Sequence, residues 1–105
     1  MEQTETKLDS LHHVAIQVSD IDRATKWYSE NFNAEIVYLD DSWAMLRFEN
    51  IYLALVMPGQ HPPHIAIEHQ AAESYGPLVK HRDGTESTYI NDSEGNTLEL
   101  MKPVK

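Results

Sequence analysis

Cysteine is absent from the 105 residues, which removes disulfides, thiolate metal sites and thiol nucleophiles together. Basic residues are scarce: 8 Lys and Arg stand against 17 Asp and Glu, a formal net charge of −9. Nucleic acid is bound largely through clustered Lys and Arg, so it is not expected as a partner. An anionic membrane surface is disfavoured on the same ground. The four glycines, at 59, 76, 84 and 95, are too dispersed for a phosphate cradle or a dinucleotide fingerprint. No apolar run approaches the roughly 18 residues of a membrane span. Met1–Ser10 is polar and acidic where a signal peptide would be basic and then apolar. The expected home is therefore the cytoplasm. A chain of this length, 41% hydrophobic and 24% charged, suits one domain with a modest core that self-association would help. Six histidines are what remains for metal or acid–base chemistry near neutral pH.

The chain repeats itself. Leu11-His12-His13-Val14-Ala15-Ile16-Gln17 matches Pro62-Pro63-His64-Ile65-Ala66-Ile67-Glu68 at an offset of 51 residues, from 13 to 64. Leu53-Ala54-Leu55-Val56-Met57-Pro58 resembles Leu98-Glu99-Leu100-Met101-Lys102-Pro103 at an offset of 45, from 53 to 98. Two echoes in the same order point to duplication, with about six residues fewer in the middle of the second half. The expected parts are a frayed leader over 1–10, a first module over 11–58 and a second over 62–103, joined by Pro58-Gly59-Gln60-His61-Pro62-Pro63.

Leu11–Val18 alternates as a strand. Ser19 precedes Asp20-Ile21-Asp22, a capping-box-like start, and Ile21, Ala24, Tyr28 and Phe32 form a helical stripe ending near 31–33. Strands are expected over about 35–39, 42–48 and 51–57. The second module opens with a strand at His64–Glu68. Its helix is stunted, because Gly76-Pro77 interrupts anything begun at Gln70–Tyr75. Glu86–Asn91 and Thr97–Met101 form a hairpin, with Gly95 at a positive-φ turn position. The fold class is α+β, built of paired βαβββ modules with the second abbreviated.

Alternation then places the chemistry. His13 shares a face with Ala15 and Gln17, and His64 with Ala66 and Glu68, each opposite an aliphatic face. Glu99 points away from Leu98 and Leu100. If the modules pair symmetrically, His13, His64 and Glu99 converge on one cavity. Two imidazoles and a carboxylate suit Fe(II), Mn(II), Ni(II) or Zn(II), with open positions for a substrate that chelates through two oxygens. A buried, unpaired Glu99 would be costly; the plainer alternative puts it on a solvated edge strand. His12 falls on the helix-packing face and reads as structural.

The HHVAIQVSD start, the HIAIE echo and the DSEGNTLELM ending resemble the vicinal oxygen chelate superfamily of glyoxalases, fosfomycin-resistance proteins, extradiol dioxygenases and an epimerase, over about Leu11 to Pro103. The resemblance implies a half-open cup around a divalent ion, with ligand positions at His13, Ala54, His64 and Glu99. Ala54 cannot coordinate, which departs from the lactoylglutathione-lyase pattern. The remaining set resembles fosfomycin-resistance enzymes and extradiol dioxygenases. By the same resemblance Tyr89 and Ser87 match substrate-contacting positions, and His81 and Tyr89 could supply acid–base groups. Trp43 and Arg47 share a strand face that would meet substrate if it lines the cup; a solvated arginine is the plainer reading of Arg47. The reading is a metal-dependent small-molecule enzyme, expected as a homodimer. Its rival is a metal-free small-molecule-binding protein of the bleomycin-resistance kind, with Trp43 and Tyr89 lining its cup.

Overall fold

The computed structural model describes residues 8–103. The first seven residues of the expected leader lie outside that range, and Ser10 already belongs to the first strand. The elements run β1 (Ser10–Gln17), α1 (Ile21–Asn31), β2 (Glu35–Leu39), β3 (Trp43–Arg47), β4 (Tyr52–Val56), β5 (His64–Glu68), a 3₁₀ turn (Ala72–Tyr75), β6 (Val79–Lys80), β7 (Glu86–Asn91) and β8 (Thr97–Met101). All eight strands join one sheet in the order β2-β3-β4-β1-β5-β8-β7-β6. The expected pair of βαβββ modules, the second abbreviated, is what the chain forms.

The sheet order makes the duplication visible in space. β1 runs parallel to β4 in the first half, and β5 runs parallel to β8 in the second. The halves meet where β1 lies antiparallel to β5, pairing His13 with Ala66 and Ala15 with His64. Those two pairs exchange under a local two-fold axis, since Ala66 stands to Ala15 as His64 does to His13. The same axis relates Ala54, opposite Ala15, to Glu99, opposite Ala66.

Local chemistry explains α1. The Asp20 carboxylate accepts from the Arg23 backbone N–H at 3.0 Å, so Asp20 rather than Ser19 is the N-cap. Ser19 instead accepts from the Arg23 guanidinium. The helix seats Ile21 on Ala44, Leu46 and Leu55 of β3 and β4, all buried. The opposite face of these strands carries Met45, Ala54 and Val56, which with Ala15 of β1 form a second buried cluster. In the second half one 3₁₀ turn replaces the helix, and Ile65 on that side stays 41% exposed. The second half's counterpart of β2 is the two-residue β6.

Leu55 is fully buried beneath α1, whereas the Asp20 cap is exposed. Leu55→Ala should therefore cost about 2–5 kcal/mol and Asp20→Ala about 0.5–2 kcal/mol. Urea unfolding of both variants checks the order; a cap mutation costing more than the core truncation contradicts this packing.

Candidate metal centre

Three strands deliver three donors to one buried point. His13 from β1, His64 from β5 and Glu99 from β8 are each about nineteen-twentieths buried and form a group that could hold a metal ion. Nε2 of His13 lies 3.1 Å from Oε1 of Glu99, Nε2 of His64 lies 3.0 Å from the same oxygen, and the two nitrogens are 3.4 Å apart. Donors at about 2.1 Å from one ion stand about 3.0 Å apart at right angles and about 3.4 Å apart at the tetrahedral angle. The observed triangle has those sides.

Proton accounting supports the same fit. Nδ1 of His64 is 2.8 Å from the Pro62 carbonyl, which can only accept, so the ring proton sits on Nδ1. A neutral His64 therefore turns a bare Nε2 lone pair toward a carboxylate oxygen. Two acceptors facing each other away from water repel, unless extra protons or a cation lie between them. The donor set fits a divalent ion.

Glu99 is held from behind. Ser87 Oγ donates to Oε2 at 2.6 Å, and Nε2 of His81 is 2.6 Å from that hydroxyl. Because the carboxylate only accepts, the serine proton points to Glu99 and His81 donates its Nε2–H to Ser87. Burial pushes the Glu99 carboxyl upward, but His13 and His64, when protonated on the nitrogens that face it, and the Ser87 hydroxyl outweigh burial and hold the group well below its ordinary value. Oε1 is left facing the two histidines.

In front of the triangle opens a cavity of about 220 Å³, small beside the roughly 300–1,000 Å³ that takes drug-sized ligands. Ala54, Val56, Met45 and Met101 give it an apolar floor, and Trp43 forms a wall. Tyr89 lies edge-on to His64 at 5.2 Å between ring centres, its hydroxyl 3.4 Å from Nδ1 of His61. Burial, then the Glu99 charge, raise the Tyr89 phenol, so it stays protonated. His61 borders the cavity although its place in the linker reads as structural; burial, then neighbouring His64, lower its pKa. Pro62-Pro63 turns the chain so that His61 and His64 flank one tyrosine, and the three-residue spacing was the available signal.

The other expected site residues separate. Trp43, His81 and Tyr89 reach the cavity. Ser87 is fully buried behind Glu99. Arg47 is exposed, outside the cavity, and paired with Glu35. Arg82 closes the mouth: it donates to the Asp40 carboxylate at 2.8 Å and to Ser42 Oγ at 2.9 Å, with its guanidinium 5.9 Å from the Trp43 ring centre. This clasp ties the loop before β7 to the β2–β3 turn.

Comparison with known proteins accords with this geometry. The sequence profile described as the Glyoxalase/Bleomycin resistance protein/Dioxygenase superfamily matches residues 10–78. The chain belongs to that superfamily. Among solved structures it resembles a hypothetical protein from Bacillus halodurans (17% identity, 94% of this chain and 97% of that one, TM-score 0.74). It also resembles methylmalonyl-CoA epimerases from Mycobacterium tuberculosis (19%, 91% and 89%, TM-score 0.68) and Streptomyces coelicolor (16%, 94% and 100%, TM-score 0.70). At such identities these likenesses establish the glyoxalase fold and nothing about substrate. No curated protein matches the chain.

Asp40 is the hub of the clasp. The Tyr38 hydroxyl first, then Ser42 and Trp43, hold its carboxyl below the ordinary 3.8 against the opposing pull of burial. A depressed folded-state pKa contributes stability that is complete above the ordinary value and lost progressively as pH falls below it toward the folded-state pKa. The urea midpoint should therefore drop between about pH 5 and pH 2.5 more steeply in the wild type than in Asp40→Asn; parallel profiles contradict this.

Proposed function

We propose that the chain is a divalent-metal-dependent small-molecule enzyme in which His13, His64 and Glu99 hold the ion. The observation that carries this reading is the buried triangle of donors, spaced as the ligands of one ion are. Iron, manganese, nickel and zinc all accept two imidazoles and a carboxylate. Among members of this superfamily small-molecule chemistry is the common theme, and a 220 Å³ cavity suits a compact substrate.

A divalent ion held by His13, His64 and Glu99 would supply Lewis acidity to substrate oxygens and to the negative charge that develops on them. The remaining work falls to the chain. Tyr89, kept as a phenol, donates a hydrogen bond to substrate at the cavity wall. His81 gives its Nε2–H to Ser87, which leaves Nδ1 as the basic nitrogen of that ring and a proton acceptor at the cavity edge. Ser87 keeps Oε2 of Glu99 occupied, so the carboxylate turns one oxygen to the centre. Trp43 and the apolar floor exclude water from the reacting end. The alanine at 54 leaves the first-module side of the centre free, and substrate enters there.

A second reading keeps the cup and drops the reaction. Ala54 in place of a fourth ligand, and the Tyr38–Trp43 stack at 4.2 Å, favour a metal-free binding protein that holds a planar ligand against the tryptophan. In either case we assign the chain to the cytoplasm as a homodimer. The exposed Ile65 face, left uncovered by the single 3₁₀ turn, meets its copy on a second chain. Among the described residues no helix is long and apolar enough to cross a membrane.

Protein purified without a tag or chelator should carry close to one ion per chain by elemental analysis, and a His64→Ala, Glu99→Ala double variant should carry none. Protein that remains empty after reconstitution with each of the four ions would transfer the assignment to the binding protein. Light scattering on the same sample should give twice the chain mass; a monomer at micromolar concentration removes the dimer.

A further inference from the structure

Strict alternation along β1 sends His12 to the helix side, opposite His13. The β1–β5 ladder is irregular at that point, its register shifting between Leu11 and His13. A bulge inserts one residue and re-aims its side chain, and here the re-aimed residue is His12. Its ring stands on the cup side, stacked on Tyr52 at 4.7 Å between centres and 14° between planes. Tyr52 itself sits opposite His13 in the β1–β4 ladder. The stack brings Nδ1 of His12 to 2.8 Å from Nδ1 of His13.

Two ring nitrogens at that distance share one proton. When His13 offers Nε2 to an ion its own proton is on Nδ1, and His12 accepts it. His64 has the same arrangement, with the Pro62 carbonyl as acceptor. We propose that His12 is a positioning residue that fixes the tautomer and ring angle of His13 through this Nδ1–H···Nδ1 bond. The proposal rests on the metal-centre reading above. Acceptors behind a ligating imidazole raise its basicity and hold its plane, and losing one typically costs about 10–100-fold in metal affinity. A neutral nitrogen does this without adding a second negative charge beside Glu99.

Leucine and asparagine separate the bond from the packing. Asparagine Oδ1 stands where Nδ1 of histidine stands and accepts; leucine has the same size and cannot. Both lose the stack on Tyr52. Zn(II) and Co(II) alone are the probes, titrated against a competing chromophoric chelator. His12→Leu should bind each about 10–100-fold more weakly, with an altered Co(II) absorption band, and His12→Asn should recover most of the affinity. Long-range ¹⁵N–¹H correlations should place the His13 proton on Nδ1 in the wild type and in His12→Asn, and shift it toward Nε2 in His12→Leu. Equal affinities for wild type and His12→Leu overturn the proposal, as does an equal loss in both variants. A wild type that takes up neither ion instead sinks the metal-centre reading. The nitrogen correlations on metal-free protein then judge His12: an unchanged His13 pattern in His12→Leu overturns its role.

Discussion

Two imidazole nitrogens and a carboxylate oxygen stand within 3.4 Å of one another where water scarcely reaches, and their mutual repulsion has to be neutralised. The antiparallel pairing of β1 with β5 brings the two imidazoles together, and the parallel pairing of β5 with β8 adds Glu99 opposite Ala66. The antiparallel ladder sets His13 across from Ala66 and His64 across from Ala15, and both alanines are essentially fully buried. Small side chains at those two positions let the rings lean inward over the ladder. A β-branched residue at either would hold the rings apart. The local two-fold axis therefore acts through size as well as register: each histidine is given room by the other half's alanine.

The axis is broken in two places, and each break has a consequence for the site. At the fourth equivalent position Ala54 faces Glu99 across the cup, so the donors gather toward the second module and the open side faces the apolar floor of the first. Outside the cup, α1 covers the first module while a single 3₁₀ turn stands in for it on the second. The first break leaves the cup open beside Ala54. The second leaves the exposed aliphatic surface around Ile65.

Periodicity and repetition make much of this legible in the sequence. The HVAIQ and HIAIE echoes located both histidines, and period-two alternation placed Glu99 on their side, because strands in a regular ladder obey that rule. β5, β7 and β8 end where their turn residues indicate. What escaped depends on contacts distant in sequence or on broken regularity. The bulge that turns His12 inward has no glycine or proline to mark it. The Asp40–Arg82 clasp joins residues 42 apart, and nothing local to Asp40-Asp41 distinguishes a hub from an ordinary turn. Arg47 shares the cup-side parity of Trp43 but stands beyond the rim, where Glu35 on the neighbouring strand pairs with it. Ser87 shares the strand parity of Tyr89, yet the hairpin packs it behind Glu99 rather than in front.

X-ray absorption at the metal edge of the reconstituted protein tests the central claim most directly. The account predicts an inner shell of nitrogen and oxygen donors with the multiple-scattering signature of two imidazoles, reduced to one in His64→Ala. An ion whose spectrum shows no imidazole scattering, or is unchanged by that substitution, would contradict it.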